Sequence, residues 1–354
     1  MLEHRDGPHG GYATIYRHVE ILNTHGFTVF VGLATKPTVD FYGTTAPHLI
    51  HGGHLHVQPG DIFVIPEVFP YFVKALLGTP VKRLMFCQNQ YYLPFSFDSR
   101  GGISEFGVHG VIASSEAVRD FFRDVYAVKD LPLLPCAVDP ARFTPNRSKK
   151  RQIAFMPRKL RQDVPFIQSV FKRRHTRYSD VPWISIDGLT QQAAAHLMGE
   201  SACFLSLSDK ESFGLPPLEA MACGCLVAGF HGDGGREYMT PENGWWAETG
   251  DYKACVDGLA AALAVFDMCG PMLESRRAAM AATVKRYSPA QLESALLKFW
   301  HSQLTDFELP EDAGQKLDVT LPAPTVATDS SWLRDWIPPI TRRAASKLRQ
   351  RLHR

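Results

Sequence analysis

The densest chemical signal in the chain lies in residues 206–224, SLSDKESFGLPPLEAMACG. An apolar run ends near Ser206. A loop follows with Glu211, Ser212, Phe213 and Gly214, and Pro216 and Pro217 then open a helix that Gly224 closes. Proline suits a first helical turn, where a missing N–H costs little, and glycine suits the residue just past the end. The free amides around Ser212, Phe213, Gly214 and Leu215 therefore stand at a helix N-terminus after a parallel strand, a geometry that binds phosphate or pyrophosphate. Glu219 is expected in the first turn of that helix, with Glu211 eight residues earlier in the loop. Two carboxylates on different sides of an anion site are acceptors for sugar or ribose hydroxyls. Local physics alone leaves a plainer reading open: Glu219 complements the helix dipole and Glu211 is a solvated loop acid.

Two cations extend this picture. Arg158 and Lys159 follow the apolar stretch 153–156 (IAFM). Cations at the C-terminal end of a parallel strand favour a diphosphate, the alternative being a solvated basic loop. In the first half, Glu67 ends the strand-like 61–66, and Gln88, Asn89 and Gln90 follow the strand-like 83–87, so these side chains are expected at the same cleft, Glu67 as an acceptor ligand. His48, His51, His54 and His56 crowd around Gly52 and Gly53, but no helix presents them at i, i+4 and no Cys or acid accompanies them. A polar loop is expected there, and no bound metal. The run 232–235 (GDGG) matches only part of a dinucleotide-binding fingerprint.

The elements that must position these residues alternate along the chain. Short apolar runs at 28–33, 61–66, 83–87 and 110–113 read as strands, and 14–25, 68–77 and 115–126 have helical spacing. The pattern restarts after a polar, basic stretch at 144–152, read as a linker. Strands are expected at 153–156, 183–186, 203–206 and 226–230, with helices at 164–173, 191–199, 216–223, 253–266 and 289–303. Strand alternating with helix means parallel sheets covered on both faces, an α/β chain of two doubly wound domains. The expected units are a first domain over 1–147, a second over 148–286, a helix over 287–304 crossing back to the first, and a linker and basic tail over 305–354. Gly10–Gly11, which should follow a first strand, has no apolar strand before it.

Composition narrows the class. The chain has 354 residues, 45% hydrophobic and 21% charged, which excludes a disordered or fibrous protein. No apolar run nears the roughly 18–20 residues of a membrane span, and the N-terminus has no apolar core of a secretory signal. Seven scattered cysteines argue for a reducing cytoplasm rather than a disulfide framework. Six of the 38 Lys and Arg lie in 341–354, which holds no acid, leaving 32 basic against 36 acidic residues in the rest. That mildly acidic body excludes nucleic acid as the expected partner. The tail, with Trp332 and Trp336 ahead of it, has the composition of a segment that rests on an anionic membrane, or of a solubilising extension.

The stretch Glu211 to Gly224 (ESFGLPPLEAMACG) resembles the E-x7-E region of the retaining GT-B glycosyltransferases of family 4, the group 1 transferases, nearly throughout. Other segments agree in order: Gly10–Gly11 with the following helix, 111–118 (VIASSEAV), 135–145 (PCAVDPARFTP), Glu237, Gly244 and Gly250–Asp251. The resemblance covers about residues 9–303. It implies a GT-B fold, two Rossmann-like domains facing a central cleft. By it, Glu211 holds the donor sugar and acts in catalysis, Glu219 holds the nucleotide ribose, and Ser212–Leu215 with Arg158 and Lys159 hold the diphosphate. Gly10, Gly11, Gln88, Asn89, Gln90 and Glu67 then line the phosphate and acceptor side. Two departures stand out: Asp163 occupies the place of the family's phosphate-binding Lys, so that Lys159 or Arg161 must substitute, and amides and phenols replace a histidine after 83–87.

The implied activity is transfer of a sugar from a nucleotide-diphosphate sugar to a saccharide or glycolipid acceptor, in the cytoplasm or at the inner membrane surface, for bacterial surface polysaccharide or glycolipid. No cofactor is implied beyond the donor co-substrate. A GT-B epimerase or phosphorylase, or a non-catalytic GT-B partner subunit, stay as alternatives.

Overall fold

The computed structural model describes residues 10–321 apart from 38, 41, 98–102, 147, 306 and 312. Helix α1 (Gly10–Thr24) comes first, followed by β1 (Val31–Leu33), β2 (His48–Ile50), β3 (His54–His56), β4 (Ile62–Pro66), α2 (Pro70–Ala75), β5 (Lys82–Cys87), α3 (Leu93–Ser96), β6 (Gly110–Ala113) and α4 (Glu116–Tyr126). Among the described residues the parallel strands of this half fall into two sheets, β1–β2 and β4–β5–β6. Successive side chains of a strand point to opposite faces, and β5 shows it. Met85 and Cys87 join one apolar cluster with Phe72, Val118 and Phe122, whereas Leu84 and Phe86 join another with Ile21, Leu22 and Ile112. Ser115 caps α4 by accepting from Val118 N at 3.3 Å, and Ala127 closes it in the left-handed conformation.

The second half holds β7 (Lys150–Phe155), α5 (Val164–Arg174), β8 (Trp183–Ser185), α6 (Gln191–Glu200), β9 (Ser201–Glu211), α7 (Leu215–Ala222), β10 (Leu226–Asp233), β11 (Trp245–Ala247), α8 (Tyr252–Met268) and α9 (Pro271–Arg286). Its strands form one parallel sheet in the order β11-β10-β9-β7-β8. The central strand β9 is buried from Ser201 to Ser208, because helices cover both faces, so its sequence runs apolar and small without alternation.

Helix α10 (Pro289–Thr305) returns to the first half, where Leu292 and Leu296 share the cluster of Leu84 and Phe86. The two crossings between halves are tied together, Val138 N donating to Tyr287 O at 3.0 Å.

Four expectations are corrected. The linker at 144–152 runs into β7, and Gln152 is buried. The histidine-rich segment is not a loop but two short strands, because His48, His54 and His56 lie on ladders. Helix α9 was not expected, since its surface is charged and its apolar stripe is thin. The stretch expected as a loose connector docks on the first half: β12 (Asp318–Thr320) pairs antiparallel with β3, burying Val319 and Leu321. Residues 1–9 and 322–354, including the tail, lie outside the described residues.

Candidate active site

The loop between β9 and α7 begins with a defect in the ladder. His231 pairs with Ser208 but Asp233 pairs with Glu211, so β9 carries an extra residue there. Lys210 takes a positive φ of 46° and Asp233 one of 72°. The bulge lies directly before Glu211, the last residue of β9, whose carboxylate comes within 3.3 Å of Lys159 Nζ. Gly214 then caps α7 at φ 83°, a conformation that glycine alone adopts freely, and Tyr238 OH donates to its carbonyl. The side chain of Phe213 anchors the loop: it is buried against Tyr238 and Tyr287 at 4.9 and 5.0 Å between ring centres. A Cβ on Gly234 would fall 2.1 Å from the carbonyl carbon of Ser212, so the turn after β10 packs directly on this loop and tolerates no side chain there.

Two helix N-termini converge on the loop. A Cβ on Gly10 would touch Leu215 at 3.4 Å, and one on Gly11 would approach Gln88 Oε1 at 3.0 Å. The first turn of α1 therefore faces the first turn of α7 across the cleft. Free amides and the positive ends of both dipoles meet there, a natural place for a diphosphate.

The charged side chains complete it. Lys159 Nζ lies 3.3 Å from Glu211 Oε1 and 3.4 Å from Tyr92 OH. Burial opposes its charge, but Glu211 and Tyr92 outweigh that, and the ammonium is held above the ordinary lysine value. Arg158 is exposed beside it, close enough to oppose it. Glu219 falls in the second turn of α7, not the first, and its carboxyl is buried on the other flank. Burial pushes it up to about 7, against the pull of Arg142 and a hydrogen bond from Gln191. Arg142 in turn donates to Gln191 Oε1, and to Tyr42 O at 2.9 Å. Thr14, Arg17, Tyr42, Arg142, Gln191 and Glu219 line one pocket between the halves.

The first half supplies the opposite wall. Glu67 is not free to bind an acceptor: it is buried, and its two oxygens accept from Gln88 N and Asn89 N at 3.0 Å each. Burial lifts its pKa to about 7 even so. It shapes the turn after β5 instead. Asn89 caps that turn through Tyr91 N at 3.1 Å and reaches Lys210 O at 3.0 Å. Ser212 Oγ donates to Gln88 O. Gln90 is buried, its Oε1 without a protein partner.

The structure thus brings Gly10, Gly11, Gln88, Asn89, Lys159, Glu211, Ser212, Gly214 and Leu215 together, puts Glu219 one helical turn away and Arg158 at the edge. Sequence reasoning missed Arg142, Gln191 and the part of Asp233 in this site. Two of these had a signal: Gln191 heads a helix, and Asp233 ends a parallel strand. Among the described residues no three His, Cys, Asp or Glu side chains are grouped to hold a metal.

Two α/β halves around this cleft are the GT-B fold. A Rickettsia africae glycosyltransferase superposes with a TM-score of 0.60 at 14% identity, covering 86% of this chain and 98% of that one. The Anabaena protein HepE, solved with UDP-glucose, gives 0.61 at 14% identity over 85% and 98%. At such identity the likeness carries the fold. The sequence comparisons carry the activity. Residues 186–272 match the family of glycosyl transferases group 1. An alpha-1,6-glucosyltransferase of Actinobacillus pleuropneumoniae serotype 7 is 28% identical over 253 residues, 69% of this chain and 76% of that protein. The chain is a glycosyltransferase, similar to group 1 over residues 186–272.

Proposed function

We propose that this enzyme moves a hexosyl group from a uridine-diphosphate sugar to a saccharide or lipid-linked saccharide, with retention of anomeric configuration, in the assembly of a bacterial surface polysaccharide or glycolipid. The observation that carries it is the 3.3 Å contact of Lys159 with Glu211 beside the two opposed helix N-termini, with Glu219 buried one turn on. The relative named for alpha-1,6-glucosyl transfer and the neighbour solved with UDP-glucose support the donor class.

In this reading Lys159 and Arg158 lie against the diphosphate, with the amides of Ser212–Leu215 and the first turn of α1. These groups stabilise the negative charge that gathers on the leaving diphosphate as the sugar C1–O bond breaks, acting where a divalent ion acts in other transferases. Glu211 accepts hydrogen bonds from donor sugar hydroxyls and holds C1 in place. Glu219 accepts from the ribose. The acceptor hydroxyl adds to C1 from the face the diphosphate leaves, and its proton passes to the departing phosphate oxygen, so no side-chain base is needed near Gln88–Tyr92. The basic segment 341–354 holds the enzyme at an anionic membrane on the cytoplasmic side, where lipid-linked acceptors are. Among the described residues no single helix is long and apolar enough to cross a membrane.

The test is product analysis. Incubation with UDP-glucose and candidate glucosyl acceptors in the presence of EDTA is expected to release UDP and yield an α-linked product by NMR. A β-linked product would refute retention. Activity lost in EDTA and restored by manganese would refute the metal-free reading.

A further inference from the structure

The segment after β5 touches the second half at points that coincide with its irregular backbone. Asn89 Nδ2 donates to Lys210 O at 3.0 Å, and Tyr91 OH donates to Asp233 Oδ2 at 2.6 Å. Lys210 and Asp233 are two of the four non-glycine residues at positive φ among the described residues, and they flank the bulge that precedes Glu211. Asp233 is braced from behind. Its N–H donates to His231 Nδ1 at 3.0 Å, which leaves the imidazole proton on Nε2. That nitrogen lies 3.1 Å from Glu248 Oε2, off the line of a hydrogen bond, and Glu248 is gripped by Arg236 at 2.6 Å. The next residue, Gly234, abuts the backbone of Ser212. On the other side Glu67, buried in the first half, fixes the backbone from which Tyr91 extends. A short chain of contacts therefore runs from the core of the first half, through Tyr91 and Asp233, to the loop of Glu211.

We propose that Tyr91 and Asp233 form a cross-cleft latch: their hydrogen bond strengthens as the halves close and holds the Glu211 loop in its working posture. Both are positioning residues, acting through Glu211 and touching no substrate. A bond that is present without ligand but strengthened in the closed arrangement lowers the energy of that arrangement and of the transition state within it, and adds little to initial donor binding. The inference rests on the assignment of the Glu211 loop to the donor.

The experiment uses the full chain with Tyr91→Phe, Asp233→Asn, the double variant and Asp233→Gly. Tyr91→Phe is expected to lower kcat for transfer from the UDP-sugar about tenfold, equivalent to about 1.4 kcal/mol, while UDP affinity by calorimetry changes less than about twofold. The double variant should be no slower than the slower single, because both remove one bond. Glycine accepts positive φ, so Asp233→Gly should melt at or above the wild-type temperature and yet lose kcat as Tyr91→Phe does. Multiplying effects in the double variant, an unchanged kcat in Tyr91→Phe, or UDP affinity falling in step with kcat would each overturn the latch. Amide exchange in the ligand-free protein separates the two readings. With the latch lost, residues 206–214 should exchange faster while α8 does not. Faster exchange in a protein whose wild type turns over no UDP-sugar would refute the donor assignment and keep the latch, and unchanged exchange would refute the latch alone.

Discussion

Replacing Glu219 by Gln should move stability and nucleotide affinity in opposite directions. Burial lifts this carboxyl from an ordinary 4.5 to about 7. At about 1.4 kcal/mol per pKa unit, that is a penalty on the order of 3 kcal/mol for keeping it ionised in the folded protein. Its pH window follows from proton counts. Below about pH 4.5 both states hold the proton and nothing is lost. Between about 4.5 and 7 the unfolded chain gives up its proton while the folded one keeps it, so stability falls as pH rises. Above about 7 the loss is complete and constant. Glutamine imitates the protonated form and escapes it. Glu219→Gln should therefore melt with the wild type at pH 4.5 and several degrees above it at pH 8, since about 2–4 °C accompanies each kcal/mol in chains of this order. Glu67 titrates in the same window, but it is common to both proteins and cancels in their difference. Binding runs the other way. An ionised acceptor on ribose hydroxyls contributes about 1.5–3 kcal/mol, so UDP affinity should drop about 10- to 150-fold at pH 8. Wild-type affinity should also strengthen as pH rises through about 7, a dependence absent from the variant. Calorimetry and melting at four pH values decide it. Equal melting and equal UDP affinity at pH 8 would mean that Glu219 is neither strained nor a nucleotide ligand.

Further outcomes are expected. Glu211→Ala should leave UDP affinity unchanged and lower turnover about 10- to 150-fold, whereas Arg158→Ala should weaken UDP binding itself, both read by calorimetry beside steady-state rates. Val319→Asp places a charge in the buried contact of β12 with β3 and should cost on the order of 3–4 kcal/mol, seen as a lowered melting temperature. Removing residues 331–354 should leave the melting temperature unchanged and abolish salt-sensitive binding to anionic vesicles, to which each Lys or Arg contributes about 1 kcal/mol. Vesicle sedimentation at low and high salt measures it, and binding that persists in the truncated protein would assign membrane contact to the body.

Local chemistry was legible from the sequence wherever a residue type answers to its nearest neighbours. Apolar runs bounded by turn residues gave strands, Pro216 and Gly214 opened α7, and the spacing from Glu211 to Gly224 carried the resemblance to group 1 transferases. What depended on segments distant in the chain was decided only by the tertiary structure. Glu67 looks like any strand-end acid until the fold buries it under the amides of Gln88 and Asn89. Phe213, inside the signature, turned out to hold the loop from below, because Tyr238 and Tyr287 come from 25 and 74 residues further on. The connector after α10 had too little periodicity to be read as a strand, since three residues need only one buried side chain, Val319, to add to a sheet edge. Asp233 carried only weak signals, a partial glycine fingerprint and the end of a parallel strand. Its importance lies in a positive φ, a bulge in the neighbouring strand and a phenol 142 residues away in sequence, and none of these is a property of the aspartate or its neighbours.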